Sequence, residues 1–264
     1  MSVATDFARD GFAVLEGALS GAECDALCER AWRLAESCAA EAPLSIFTTD
    51  VDHDRTDDWF LDSGDTVRAF FEEDALVGAG LDRPAARAVN KIGHALHRRD
   101  PVFGPFFRDA RWRDVLASLG QEPRLVQSML IFKPPEVGGE VRWHQDASYL
   151  ATEPDSVIGL WWALEDATAE NGALQVVPGG HAEPVRIRFR RSGRQTRHDL
   201  LDARPFDALA TTLEVPRGTL VVLHGHLPHA SPPNRSARSR VAATLHSVDA
   251  RTIWAADNWI LDPG

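Results

Sequence analysis

The run GGEVRWHQDASYLATEP (residues 138–154) decides how this chain of 264 residues is read. A Gly-Gly turn followed by alternating apolar and polar positions predicts a strand over 141–146. In extended backbone, residues two apart share a face, so His144 and Asp146 can reach one metal ion. The next ligand must come from elsewhere in a sheet. HLPHASPPNRS (226–236) supplies it as His229, 85 positions further on (229 − 144). Two neutral imidazoles and one carboxylate make the facial set that holds non-haem Fe(II) and leaves positions open for a co-substrate and oxygen.

A lone His-x-Asp carries little weight in a chain with 10 His and 39 Asp and Glu, and His181-Ala182-Glu183 has the same spacing. Context separates them. Only His144 and Asp146 follow the Gly138-Gly139 turn and are joined, later in the chain, by a His-rich turn after a strand and by Arg240, eleven positions beyond His229 (240 − 229).

Composition bounds the rest. With 44% hydrophobic residues the chain can bury a large core, enough for a single domain over 1–264. A net charge of −11 argues against nucleic acid or an anionic membrane as the main partner. No run of apolar residues is long enough to span a bilayer. No secretory leader is readable in MSVATDFARDGF, and Cys24, Cys28 and Cys38 fit a reducing compartment, so a cytoplasmic location is expected. Cys24 and Cys28 read as buried helix residues rather than a metal pair.

Ser20-Gly21-Ala22-Glu23 is a capping box, and the helix after it carries Leu27, Cys28, Ala31, Leu34, Ala35 and Cys38 on one stripe. A second helix is expected from Pro84, with Val89, Ile92 and Leu96 inward, and a third near 111–119, ending at Gly120. The acidic stretch 50–74 reads as a solvated loop or edge hairpin. From Arg124 the texture turns to short strands, expected at 124–133, 141–146, 157–164, 173–177, 218–224 and 240–248. The expected architecture is mainly β with α: a double-stranded β-helix (jelly roll, cupin-like) core over 123–250, helical support from 1–122 and a tail over 251–264. Residues 185–201 hold six Arg and one acidic residue, Asp199. They are expected to repel one another and form a mobile lid.

Five long runs resemble the phytanoyl-CoA dioxygenase family of iron- and 2-oxoglutarate-dependent oxygenases. These are DWFLDSGDTVRAFFE (58–72), NKIGHALHRRDPVF (90–103), QSMLIFKPPEVGGEVRWHQDASYLATEP (127–154), GLWWALEDATAENGALQVVPGGH (159–181) and LVVLHGHLPHASPPNRSARSR (220–240). The resemblance implies Fe(II) on His144, Asp146 and His229, with 2-oxoglutarate as co-substrate, O2 as oxidant and a small organic molecule as prime substrate. It selects His229 over His224 and His226. It also implies that Lys91, Met129 and Trp161 contact the co-substrate, with Gln127 close by. Because Asp146 is present, halogenation, which in relatives uses a small residue there, is not expected.

A 2-oxoacid chelates iron through its C1 carboxylate and keto oxygen, so its far carboxylate needs a permanent cation with a fork of donors, which is Arg. Arg240 and Thr244 share a strand face, and the Ser231 hydroxyl lies two residues past His229. Trp161 and Trp162 point to opposite faces, so one of them lines the pocket. His94 and His97 read as helix-surface or core residues. Hydroxylation with release of succinate and CO2 is the leading reading. Desaturation, cyclisation or epimerisation from the same oxidative start remains open, as do a non-catalytic metal- or ligand-binding jelly roll and a zinc hydrolase.

Overall fold

The computed structural model describes residues 2–46, 57–206 and 209–261. Its longest helix, Gly21–Glu41, begins at the expected capping box: the Ser20 amide donates to the Glu23 carboxylate at 2.8 Å and the Glu23 amide to the Ser20 hydroxyl at 3.3 Å. The buried stripe runs Cys24, Leu27, Ala31, Leu34, Ala35 and Ala39. It lies on one face of a seven-stranded sheet with the order Phe12–Leu15, Leu220–His224, Ile158–Ala163, Arg240–Asp249, Pro123–Lys133, Val89–His94, Val67–Phe71. Every neighbouring pair is antiparallel.

Alternation gives this sheet two unlike faces. Leu160, Trp162, Val222, Val241, Ala243 and Leu245 pack with the helices. There Trp162 meets Phe106 and Trp112 at ring distances of 5.0 and 5.2 Å, and burying a ring of that size contributes on the order of 3 kcal/mol. Trp161, Ala163, Val221, Leu223 and Ala242 join the opposite core, with Leu174 and Val176. That core is closed by a four-stranded sheet ordered Thr211–Leu213, Leu174–Val176, His229–Ser231, Val141–His144. Two antiparallel sheets across a shared interior, with helices on one outer face, make the expected jelly roll. No helix among the described residues is long and apolar enough to cross a membrane.

Three expectations change. The helix predicted from Pro84 is a short 3-10 turn, Ala85–Arg87, followed by the Val89–His94 strand. All six residues of that strand are buried, so it offers no alternation to read. With Phe12–Leu15 and Val67–Phe71 it makes the first 122 residues a source of sheet as well as of helix. Within the acidic stretch, residues 50–56 lie outside the described residues, and Val67–Phe71 is the edge strand.

The third change concerns 185–201, which is a β-hairpin of Ile187–Ser192 and Gln195–Leu200 whose arginines have partners. Arg188 Nη2 donates to Asp257 Oδ1 at 2.8 Å and Asn258 Oδ1 at 3.0 Å. Arg190 bonds both Asp199 and Asp257, and Arg194 bonds Asp58. The lid expectation counted only local acids, whereas these partners are 67 to 136 residues away apart from Asp199. Losing Asp257 leaves two guanidinium groups short of a partner, so Asp257→Ala is expected to cost about 1–3 kcal/mol. It should speed amide hydrogen exchange over 187–200 while the Arg240–Asp249 strand keeps its protection. Equal hairpin protection in both proteins would show that Asp257 does not pin it.

Candidate metal centre and active site

The metal set is built by strand register. His229 stands opposite His144 in the smaller sheet. Gln145 is extended (φ −121°, ψ 132°), so Asp146, which opens a 3-10 turn, returns to the side of His144. Gln145 itself is fully buried on the other side. There its amide nitrogen donates to His226 O at 2.8 Å, and its carbonyl accepts from the Arg186 amide at 2.9 Å. One side chain thereby ties the His144–Asp146 segment to the approach of His229 and to the base of the hairpin.

Each imidazole has its Nδ1 engaged by a backbone carbonyl two residues earlier, His144 with Arg142 at 2.8 Å and His229 with Leu227 at 3.0 Å. That fixes the tautomer in which Nε2 is the free lone pair. The two Nε2 atoms lie 3.7 and 3.8 Å from Asp146 Oδ1, and one donor atom from each residue falls within 4.8 Å of the others. The donor set and its spacing fit a first-row divalent metal. Burial and the neighbouring His229 push His144 down to about 3, which keeps it neutral and able to ligate. Burial works to raise the Asp146 carboxyl, but His246 and His229 outweigh it and hold the group well below the usual range.

The sequence reading missed His246, whose Nε2 sits 3.1 Å from Asp146 Oδ2. The signal was there: 240, 242, 244 and 246 share one face of the Arg240–Asp249 strand, and that face had been followed only to Thr244. Gly159, on the adjacent strand, completes the carboxylate's seat. A Cβ at this position would lie 3.0 Å from Asp146 Oδ2.

Lys91, Gln127, Met129, Trp161, Ser231, Arg240 and Thr244 all line the same cavity as His144, Asp146 and His229. Arg240 is 1% exposed. One terminal nitrogen donates to Ser231 Oγ at 3.1 Å and Gly172 O at 3.3 Å, while Nε and the other terminal nitrogen have no partner among the described residues. Burial lowers its pKa to about 10, so it stays charged at neutral pH. Its guanidinium carbon is 5.6 Å from the centre of the Trp161 ring, and Trp162 faces the helices. Behind it, Lys133 stands opposite Arg240 in register and donates to Pro232 O at 2.8 Å, holding the chain just past Ser231.

His224 and His226 lie outside the cavity. His226 bonds Asp155 at 2.9 Å, and His224 packs on Phe7 and His181. His181 belongs to a separate 3-10 turn, Gly180–Ala182. His94 and His97 are both buried, as the core alternative has it: His94 lies on a strand rather than a helix and lines the cavity, and His97 is buried against Ser128. Burial pushes the Cys28 thiol up to about 12 and raises the thiols of Cys24 and Cys38.

A jelly roll with two His and one Asp converging beside a buried, half-satisfied guanidinium has the build of a non-haem oxygenase. The chain belongs to the phytanoyl-CoA dioxygenase (PhyH) family, whose model matches residues 7–242, and with it to the dioxygenase-type oxidoreductases. It is 42% identical to phytanoyl-CoA dioxygenase domain-containing protein 1 of Bos taurus over 96% of this chain and 92% of that protein. Among solved structures it resembles AviO1 from Streptomyces viridochromogenes Tue57, with a TM-score of 0.65, 21% identity and 94% of each chain covered. It also resembles the epimerase SnoN in complex with Fe3+, alpha ketoglutarate and nogalamycin RO, with a TM-score of 0.64, 17% identity and 96% and 84% of the two chains covered.

Gly159→Ala and His246→Leu each disturb Asp146 without removing a ligand. Both are expected to weaken Co(II) binding about 10- to 100-fold in a spectroscopic titration, with His226→Ala unchanged. Wild-type affinity in both would mean that the Asp146 seat is not what orients the carboxylate.

Proposed function

We propose that the chain binds Fe(II) through His144 Nε2, Asp146 and His229 Nε2, takes 2-oxoglutarate as co-substrate, and hydroxylates an unactivated C–H bond of a small organic molecule. The observation that carries this reading is the Arg240 fork. A permanent cation is buried in the metal cavity with two of its donor nitrogens unmatched among the described residues, which is a costly arrangement unless a carboxylate completes it.

Arg240 would take the far carboxylate of 2-oxoglutarate by paired charge-assisted hydrogen bonds, with the Ser231 and Thr244 hydroxyls beside it. Trp161 and Met129 would flank the carbon chain, Lys91 would add a second cation and Gln127 a polar edge. His246 would hold the outer oxygen of Asp146 so that its partner oxygen faces the metal. Bound Fe(II) supplies the activation of O2 that is coupled to decarboxylation of 2-oxoglutarate to succinate. The remaining residues exclude water and set which C–H bond is presented. The balance is 2-oxoglutarate, O2 and R–H in, succinate, CO2 and R–OH out. The alternatives of desaturation, cyclisation or epimerisation differ only in how the substrate lies, and the likeness to an epimerase keeps that option in view. A purely ligand-binding jelly roll has no use for both an intact metal set and the Arg240 fork.

Succinate formation from 2-oxoglutarate in the presence of Fe(II) and O2 tests the reading. Removing a buried bidentate partner costs about 2–4 kcal/mol, so Arg240→Leu should raise the KM for 2-oxoglutarate roughly 30- to 1000-fold. The exposed Arg238→Leu should change it little. Equal effects from the two substitutions would overturn the co-substrate assignment.

A further inference from the structure

Arginine dominates the basic residues of this chain. Of 28 lysines and arginines only two are lysine, Lys91 and Lys133, and both are buried. Lys91 lines the cavity, whereas Lys133, 1% exposed, stands opposite Arg240 on the neighbouring strand. A buried cation beside another cation is costly. Neither the metal set nor the Arg240 fork accounts for it.

Its partners do. The Lys133 ammonium donates to three backbone carbonyls: Gly139, Ser231 at 3.3 Å and Pro232 at 2.8 Å. Gly139 stands two residues before Val141, which opens the strand of His144, and Ser231 ends the strand of His229. Ser231 pairs with Val141, and the register shifts between this pair and that of His229 with His144. Lys133 therefore bridges the two metal-bearing strands at the end of their ladder where pairing is irregular. The Gly139 amide is held in turn by Glu72 Oε2 at 3.0 Å.

The same ammonium reaches the co-substrate pocket through Ser231. While Lys133 holds the Ser231 carbonyl, the Ser231 hydroxyl donates to Gly172 O at 2.7 Å and accepts from Arg240 Nη2 at 3.1 Å. The packing around the lysine is close. At Gly172 (φ +86°) a Cβ would lie 2.5 Å from Pro232 O and 2.6 Å from Lys133 Cδ, and at Gly138 one would lie 2.8 Å from Lys133 Cα. A tetrahedral ammonium can send one proton to each of three converging carbonyls, which the planar fork of a guanidinium cannot do.

We propose that Lys133 is a positioning residue that locks the metal ladder and the Arg240 pocket to one another. The proposal rests on the iron and 2-oxoglutarate reading above and deepens it. One buried ammonium sets where Ser231 offers its hydroxyl to Arg240 and how the strands of His144 and His229 meet. Without it three carbonyls lose this donor, and the Gly139 turn loses its tie to the Ser231–Pro232 segment.

Lys133→Met keeps the side-chain length and removes the ammonium, while Lys133→Arg keeps the charge and changes its shape. Both are expected to weaken Co(II) binding about 10-fold, with an altered visible Co(II) spectrum, and to raise the KM for 2-oxoglutarate about 10-fold in the succinate assay. Leu116→Ala, in the helix-side core, should lower the thermal midpoint and leave all three readouts unchanged. In wild-type protein labelled with 15N-lysine and free of ligand, Lys133 Nζ should give an ammonium signal protected from exchange with water. This measurement decides the matter even where neither variant folds. Wild-type Co(II) affinity and KM in either Lys133 variant, or Nζ protons that exchange as fast as those of an exposed lysine, would overturn the proposal. Wild-type protein that binds Co(II) yet forms no succinate from 2-oxoglutarate with Fe(II) and O2 would instead reject the iron and 2-oxoglutarate reading, and the Co(II) and 15N readouts would still judge Lys133.

Discussion

The pairing of His229 opposite His144 is the constraint on which the rest of the site depends. Because side chains alternate along a strand, a slip of one residue in this short ladder would turn one imidazole out of the cavity. The smaller sheet is only four short strands, so the ladder alone is a weak guarantee of register. Gln145 supplies the rest by bonding His226 and Arg186 from the far side of the chain. The two Nδ1–carbonyl contacts then remove the last freedom, the rotation of each ring.

Charge is arranged as deliberately as geometry. Arg240, which lines the cavity, and Lys133, opposite it in register, are both almost fully buried. Burial, and after it the charge of Arg240, push Lys133 down. Glu72, buried nearby, is pushed up by its own loss of water, and its carboxylate accepts from the Gly139 amide at 3.0 Å. Such a cluster is poor as a source of stability. It places the fixed charge of Arg240 at the cavity, where the proposed anionic co-substrate would bind.

The sequence was legible where local chemistry decides structure. The capping box at Ser20 and Glu23, the six expected strands from Arg124 onward and the shared face of His144 and Asp146 all follow from spacing, and the structure has them. It was opaque where burial erases pattern or where partners are distant. Val89–His94 is buried on every residue, and its apolar spacing at 89, 92 and 96 imitates a helix. The hairpin arginines look unpaired until Asp58 and Asp257 arrive from either end of the chain. His246 was within reach of the strand-parity argument that placed Arg240 and Thr244. Trp259 was not, since nothing in the local sequence marks a tail residue as part of the cavity wall.

The central claim is that one metal site and one co-substrate site share this cavity. It is tested most directly by anaerobic addition of Fe(II) to protein saturated with 2-oxoglutarate. The account predicts a weak visible charge-transfer band that saturates at one iron per chain, does not form without 2-oxoglutarate, and is absent in Asp146→Ala. Tight iron binding with no such band, or a band that survives loss of Asp146, would contradict it.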